Sequence, residues 1–111
     1  MNHEEEPVIE HSVPSDGNVF LALGFEPGEA TNLLIRADLM MAVEGVIKSR
    51  GLKQKDAARL FGVSQPRISD LLRGKSDTFT IDSLVNMLGH AGLRVRLHVE
   101  CATEETAVVR A

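Results

Sequence analysis

The sequence predicts an all-α bundle of about five helices followed by one C-terminal β-strand. Three observations predict it. Apolar residues recur at helical spacing through four segments between Glu29 and His90. Gly51, Gly62, Gly74 and Gly92, with Ser64 and Thr80, stand where short helices would stop and start. After Gly92 the period shortens to two, and Leu93, Val95, Leu97 and Val99 alternate with Arg94, Arg96, His98 and Glu100.

The elements follow in order. Residues 1–17 contain Glu4, Glu5, Glu6, Pro7, Pro14, Ser15, Asp16 and Gly17, a composition that reads as disordered. Val19 to Phe25 form an apolar patch that ends at the turn signal Glu26-Pro27-Gly28. The patch is too short to fold alone, so it packs on the main domain or docks on a partner. A long helix is expected from near Glu29–Asn32 to Ser49, with Leu39, Val43, Val46 and Ile47 on one stripe and Gly51 just past its end.

Two short helices come next. Gln54 opens the first, and Ala57, Ala58, Leu60 and Phe61 recur at helical spacing. Gly62 and Val63 make the turn. Ser64 caps the second helix, Ile68, Leu71 and Leu72 hold it to the core, and Gly74 ends it. Lys53 stands where a Ser or Thr cap would be favourable, and losing that cap costs about 1 kcal/mol. Asp77 to Phe79 read as a loop. Thr80 caps a helix over Ile81–His90, with Ile81, Leu84, Val85 and Leu88 turned inward. The strand spans residues 93–100. Alone it would leave backbone groups unpaired. The simplest partner is the same strand of a second copy, antiparallel across a two-fold axis. Pairing with residues 19–24 of the same chain is the alternative.

The chain of 111 residues is enough for one small domain, and 43% hydrophobic residues allow a core. The sequence divides into an acidic arm (1–32), a helical domain (33–92), a dimerisation strand (93–100) and a frayed tail (101–111). One cysteine, Cys101, cannot form an internal disulfide, which points to a reducing, intracellular setting. No apolar run approaches the length of about 20 residues that spans a bilayer. The N-terminus lacks the basic and apolar regions of a signal peptide.

The net charge is −4, yet it is unevenly spread. Residues 48–75 carry eight basic side chains and two acids, a local +6. Residues 1–47 hold nine acids and one arginine, a local −8. Screening limits the reach of these charges to about 8 Å at physiological salt. The basic segment therefore sets phosphate affinity whatever the net charge of the chain.

The paired helices have the spacing that places one helix in the major groove of DNA, entering by its N-terminal end. On the second helix Gln65, Pro66, Arg67, Ser69 and Asp70 face outward and are the candidates for reading bases. Gln65 matches adenine and Arg67 guanine, each by two hydrogen bonds, or Arg67 can hold a phosphate instead. Asp70 can accept from cytosine, or can pair with Arg67 or Arg73 three residues away. Pro66 fits the first turn, where its missing N–H costs little. Lys53, Gln54, Ser64, Arg73 and Lys75 sit where phosphate contacts fix the register without reading sequence. Arg67 as a simple solvated charge is the plainer alternative. Lys55 and Arg59 read as ordinary surface residues, and Arg94 and Arg96 as cover for the strand.

These residues resemble the Xre/Cro-type helix-turn-helix family. The likeness covers roughly residues 33–92 and rests on Gln54, Ala57, Gly62, Val63, Ser64, Gln65, Ile68, Ser69, Leu72 and Gly74. Adding NVFLALGF at 18–25, SQPRISDLLRGK at 64–75 and LRVRLHVE at 93–100, the chain is similar to HigA-like antitoxins. That resemblance implies a lambda-repressor-like bundle, a homodimer joined through Leu93, Val95, Leu97 and Val99, and repression of its own operon. It also implies neutralisation of a small basic RelE/HigB-like toxin that cleaves mRNA on the ribosome. Val19, Phe20, Leu21, Leu23 and Phe25 are the candidate toxin surface, and an acidic arm suits a basic partner. The implied setting is the bacterial cytoplasm, at the nucleoid and away from membranes. The alternative is a stand-alone phage- or plasmid-type repressor with no toxin.

No catalytic, metal or cofactor site is expected. His3, His11, His90 and His98 are scattered, and no HExxH, CxxC, phosphate loop or nucleophile elbow is present.

Overall fold

A computed structural model describes residues 9–11 and 18–101 of the chain. The described elements run β1 (Ile9–His11), α1 (Val19–Ala22), α2 (Pro27–Ser49), α3 (Gln54–Phe61), α4 (Gln65–Leu72), a 3₁₀ turn (Ser76–Thr78), α5 (Ile81–His90) and β2 (Val95–Leu97). The described part is thus mostly helical, with five α-helices, and agrees with a helix-turn-helix bundle.

The termini of these helices follow local chemistry. Asn18 caps α1 by accepting from the Phe20 amide at 2.9 Å. Pro27 in the first turn and Glu29 beside it start α2, earlier than the expected Glu29–Asn32. The expected boundary between residues 32 and 33 therefore falls inside α2. That helix stops where Gly51 takes φ +60°, and the Leu52 amide donates to the Ile47 carbonyl at 3.0 Å. Lys53 precedes α3 without a side-chain cap bond. Ser64 caps α4, its Oγ accepting from the Arg67 amide at 3.4 Å. The cap of α5 is reciprocal. Thr80 Oγ1 accepts from the Ser83 amide and Ser83 Oγ accepts from the Thr80 amide, both at 3.0 Å.

The core lies where α2, α3, α4 and α5 meet. Leu39, Val43, Val46 and Ile47 of α2 are buried against Ala57, Ala58 and Phe61 of α3, Ile68 and Leu71 of α4, and Leu84 and Leu88 of α5. Two placements differ from expectation. Val85 is exposed and Met87 is buried in its place. The inward stripe of α5 is centred on residues 84, 87, 88 and 91, and Val85 lies about 100° off that line. Phe79, expected in a loop, is among the largest fully buried side chains. It precedes the Thr80 cap, and Leu84 occupies the fourth helical position. These are the two positions of a hydrophobic staple.

The strand departs most from expectation. β2 is three residues long and pairs inside the chain, parallel to β1, with Ile9 opposite Val95, Glu10 opposite Arg96 and His11 opposite Leu97. Residues 9–11, expected to be disordered with the rest of the arm, are the intrachain partner. Of residues 19–24, the alternative partner, Val19–Ala22 are helical. Alternating residues at 9–11 can satisfy one edge of β2 at once, which removes the need for a second copy on that edge. The rest of the expected disordered arm and the tail beyond Cys101 lie outside the described residues.

The turn between α3 and α4 is tight for a specific reason. Gly62 takes φ +71°, and a Cβ there would stand 3.0 Å from the His90 ring. His90 Nδ1 donates to the Leu60 carbonyl at 3.0 Å, so α5 is latched to the end of α3. The His90 ring can swing, but the left-handed backbone cannot relax. Gly62→Ala is expected to cost about 1–2 kcal/mol, the strain of an L side chain in that conformation. Urea denaturation of the two proteins checks this. Equal midpoints would mean that the turn adopts another geometry.

Candidate nucleic-acid interface

Helix α4 and its flanks gather most of the candidate residues. Gln65 and Pro66 are exposed in the first turn of α4, whereas Ile68 and Leu71 further along the helix enter the core. Ser64 is exposed just before them, its hydroxyl already engaged as the cap. Ser69 is half-buried. Lys53 and Gln54 are exposed at the start of α3.

The far end of α4 carries a small charged cluster. Asp70 Oδ1 lies 3.2 Å from Arg73 Nη2 and 3.8 Å from Lys75 Nζ. Of the two arginine partners open to Asp70 in the sequence, Arg73 is the one it takes. All three side chains keep contact with solvent, so the pairs contribute little to stability. They hold the Asp70 carboxylate between two cations. Gly74 at φ +77° turns the chain sharply, and the Lys75 amide donates to the Asp70 carbonyl at 3.0 Å.

Arg67 is turned away from the exposed end of the helix. Its Nη1 donates to the Thr78 carbonyl at 2.9 Å. Its guanidinium carbon lies 4.4 Å from the centre of the Phe79 ring, a cation–π distance. Arg36 of α2 reaches the same loop, with Nη1 donating to the carbonyls of Ser76 at 3.3 Å and Phe79 at 3.2 Å. Sequence reading missed both Arg36 and Phe79. Helical spacing marks Arg67 as outward-facing, but a long side chain reaches residues eleven positions further on. The staple pattern around Thr80 is the one signal that could have found Phe79.

The apolar patch near the N-terminus is split. Val19 and Leu23 are largely exposed and Phe25 is on the border of exposure, at 58%, 68% and 39%. Phe20 and Leu21 are half-buried, and Phe20 meets Phe25 edge to face at 6.1 Å. On the strand, Leu93 and Val95 are half-buried, whereas Leu97 and Val99 are exposed.

Among the described residues no three His, Cys, Asp or Glu side chains are grouped to hold a metal, and no helix is long and apolar enough to cross a membrane.

The sequence pattern of a family described as a helix-turn-helix domain matches residues 22–100. No curated protein matches the chain.

Proposed function

The chain belongs to the helix-turn-helix domain family, a class that binds DNA, and from that premise we propose that it is a homodimeric, sequence-specific repressor of its own operon and the antitoxin of a small basic RelE/HigB-like toxin. The observation that carries the DNA reading is the start of α4. Gln65 and Pro66 stand clear of the core there, while Lys53 and Gln54 are exposed at the start of α3 and Arg73 and Lys75 just past the far end of α4. α4 enters the major groove by that end. Gln65 and Pro66 meet bases first, with Ser69 and Asp70 one turn further along. Ser64, Lys53, Gln54, Arg73 and Lys75 meet phosphates.

The homodimer is supported by the exposed Leu97 and Val99 and by the edge of β2 that β1 leaves uncovered. The toxin reading is supported by the exposed Val19, Leu23 and Phe25, which stand in a part of the chain carrying a net −8 over residues 1–47. A basic partner with an apolar contact patch suits that surface.

Two experiments test the two halves separately. Selection from a randomised duplex pool should enrich a palindrome with half-sites about 10 base pairs apart, centre to centre. No enrichment would remove the regulator reading. A small basic reading frame taken from beside this one should arrest growth alone and lose that effect when the full chain is co-expressed. Continued arrest with the full chain present would remove the antitoxin reading and leave a plain repressor.

A further inference from the structure

We propose that Arg67 is a positioning residue for DNA recognition: it braces α4 against the loop at residues 76–79 and touches neither base nor phosphate. The proposal rests on the DNA-binding reading above and deepens it. Arg67 is the third residue of α4, two after Gln65, so its backbone belongs to the reading end of the helix. Its side chain is committed elsewhere, to the Thr78 carbonyl at 2.9 Å and the Phe79 ring at 4.4 Å.

The loop it grips is held from several directions. Arg36 holds the Ser76 and Phe79 carbonyls from α2. Thr78 Oγ1 donates to the Lys75 carbonyl at 2.9 Å. The Phe79 ring is buried in the core and is 1% exposed. Two guanidinium groups from different helices thus close around one short loop. Lys75, a residue assigned to phosphate, immediately precedes that loop, and Arg67 connects it to the end of α4 assigned to bases. The bracket fixes the spacing between those two contact points before DNA arrives. Only a planar guanidinium can lie on the ring and donate to the carbonyl together, so lysine is not an equivalent.

The test uses the full chain and a duplex that the wild-type protein selects from a randomised pool. Affinities are measured well below the unfolding transition, so that loss of folded protein does not enter. Arg67→Lys and Arg67→Ala should each weaken binding about tenfold, the loss of roughly one charge-assisted hydrogen bond. Fresh selections with both variants should return the wild-type base preference at every position. The dependence of affinity on salt should keep its slope, because no phosphate contact is lost. Phe79→Leu should weaken binding similarly, and the double variant with Arg67→Ala should bind no worse than either single one.

Other results overturn the proposal in distinguishable ways. Loss of preference at one base pair would make Arg67 a reader. Full binding by Arg67→Lys, with a shallower salt slope for Arg67→Ala, would make it a phosphate contact. A lower melting temperature with unchanged affinity would make it purely structural. If the wild-type chain selects no sequence at all, the DNA-binding reading falls and the proposal falls with it.

Discussion

Phe79→Ala should remove about 3–5 kcal/mol of stability, the usual cost of deleting a buried phenylalanine ring. A small domain holds about 5–15 kcal/mol in total, so this single change consumes a large share of it. The ring is 1% exposed and belongs to the same buried cluster as Leu39, Ile68 and Leu84. Its loss also deprives Arg67 of the surface on which the guanidinium lies. The melting temperature followed by circular dichroism should fall by roughly 15–30 °C. A shift of only a few degrees would show that the loop can collapse into the space, and that Phe79 does not anchor it.

Reversing Lys53 and Lys75 to glutamate should have the largest effect on binding. Both ammonium groups are exposed, one before α3 and one after α4. Each lost phosphate contact lowers the slope of log affinity against log salt by about 0.9. In the proposed dimer two contacts would be lost at each half-site, so the slope should fall by roughly 3–4. At low salt, affinity should drop by at least two orders of magnitude, on the order of 1 kcal/mol or more for each contact. Base preference should survive in whatever binding remains, since phosphate contacts carry no sequence information. Titration across a salt series measures the slope. An unchanged slope would mean that the two lysines face away from the DNA.

The paired short helices were legible from sequence because their signals are local. Gly62, Ser64, Gly74 and Thr80 each act on backbone groups within a few residues, and the helices begin and end where those residues require. The inward faces of α2 and α4 were legible for the same reason. What escaped depends on distant partners. β1 is three residues in an acidic stretch whose composition argues for disorder, and only its partner at the other end of the chain makes it a strand. Phe79 reads as a loop residue until the staple with Leu84 is seen. Arg67 and Arg36 bind carbonyls that no periodicity reveals. In the candidate interface, spacing gave the exposed Gln65 and Pro66, while Arg67, Ser69 and Asp70, also expected to face outward, are half-buried, and the contacts of Arg67 and Asp70 depend on residues that the helical period does not reveal.

The parallel pairing of β1 with β2 has a consequence for the order of folding. Contacts among α2, α3, α4 and α5 join neighbours in sequence or span moderate loops, so they form early. Joining Ile9 to Val95 closes most of the chain into a ring for three ladder pairs and the packing of β1 on α2. Little is gained for that closure, so the ring shuts last and opens first, while the helical bundle stays intact. The clasp can thus release its acidic strand without unfolding the reading helix. When it does, it uncovers the second edge of β2, opposite the one that β1 leaves free.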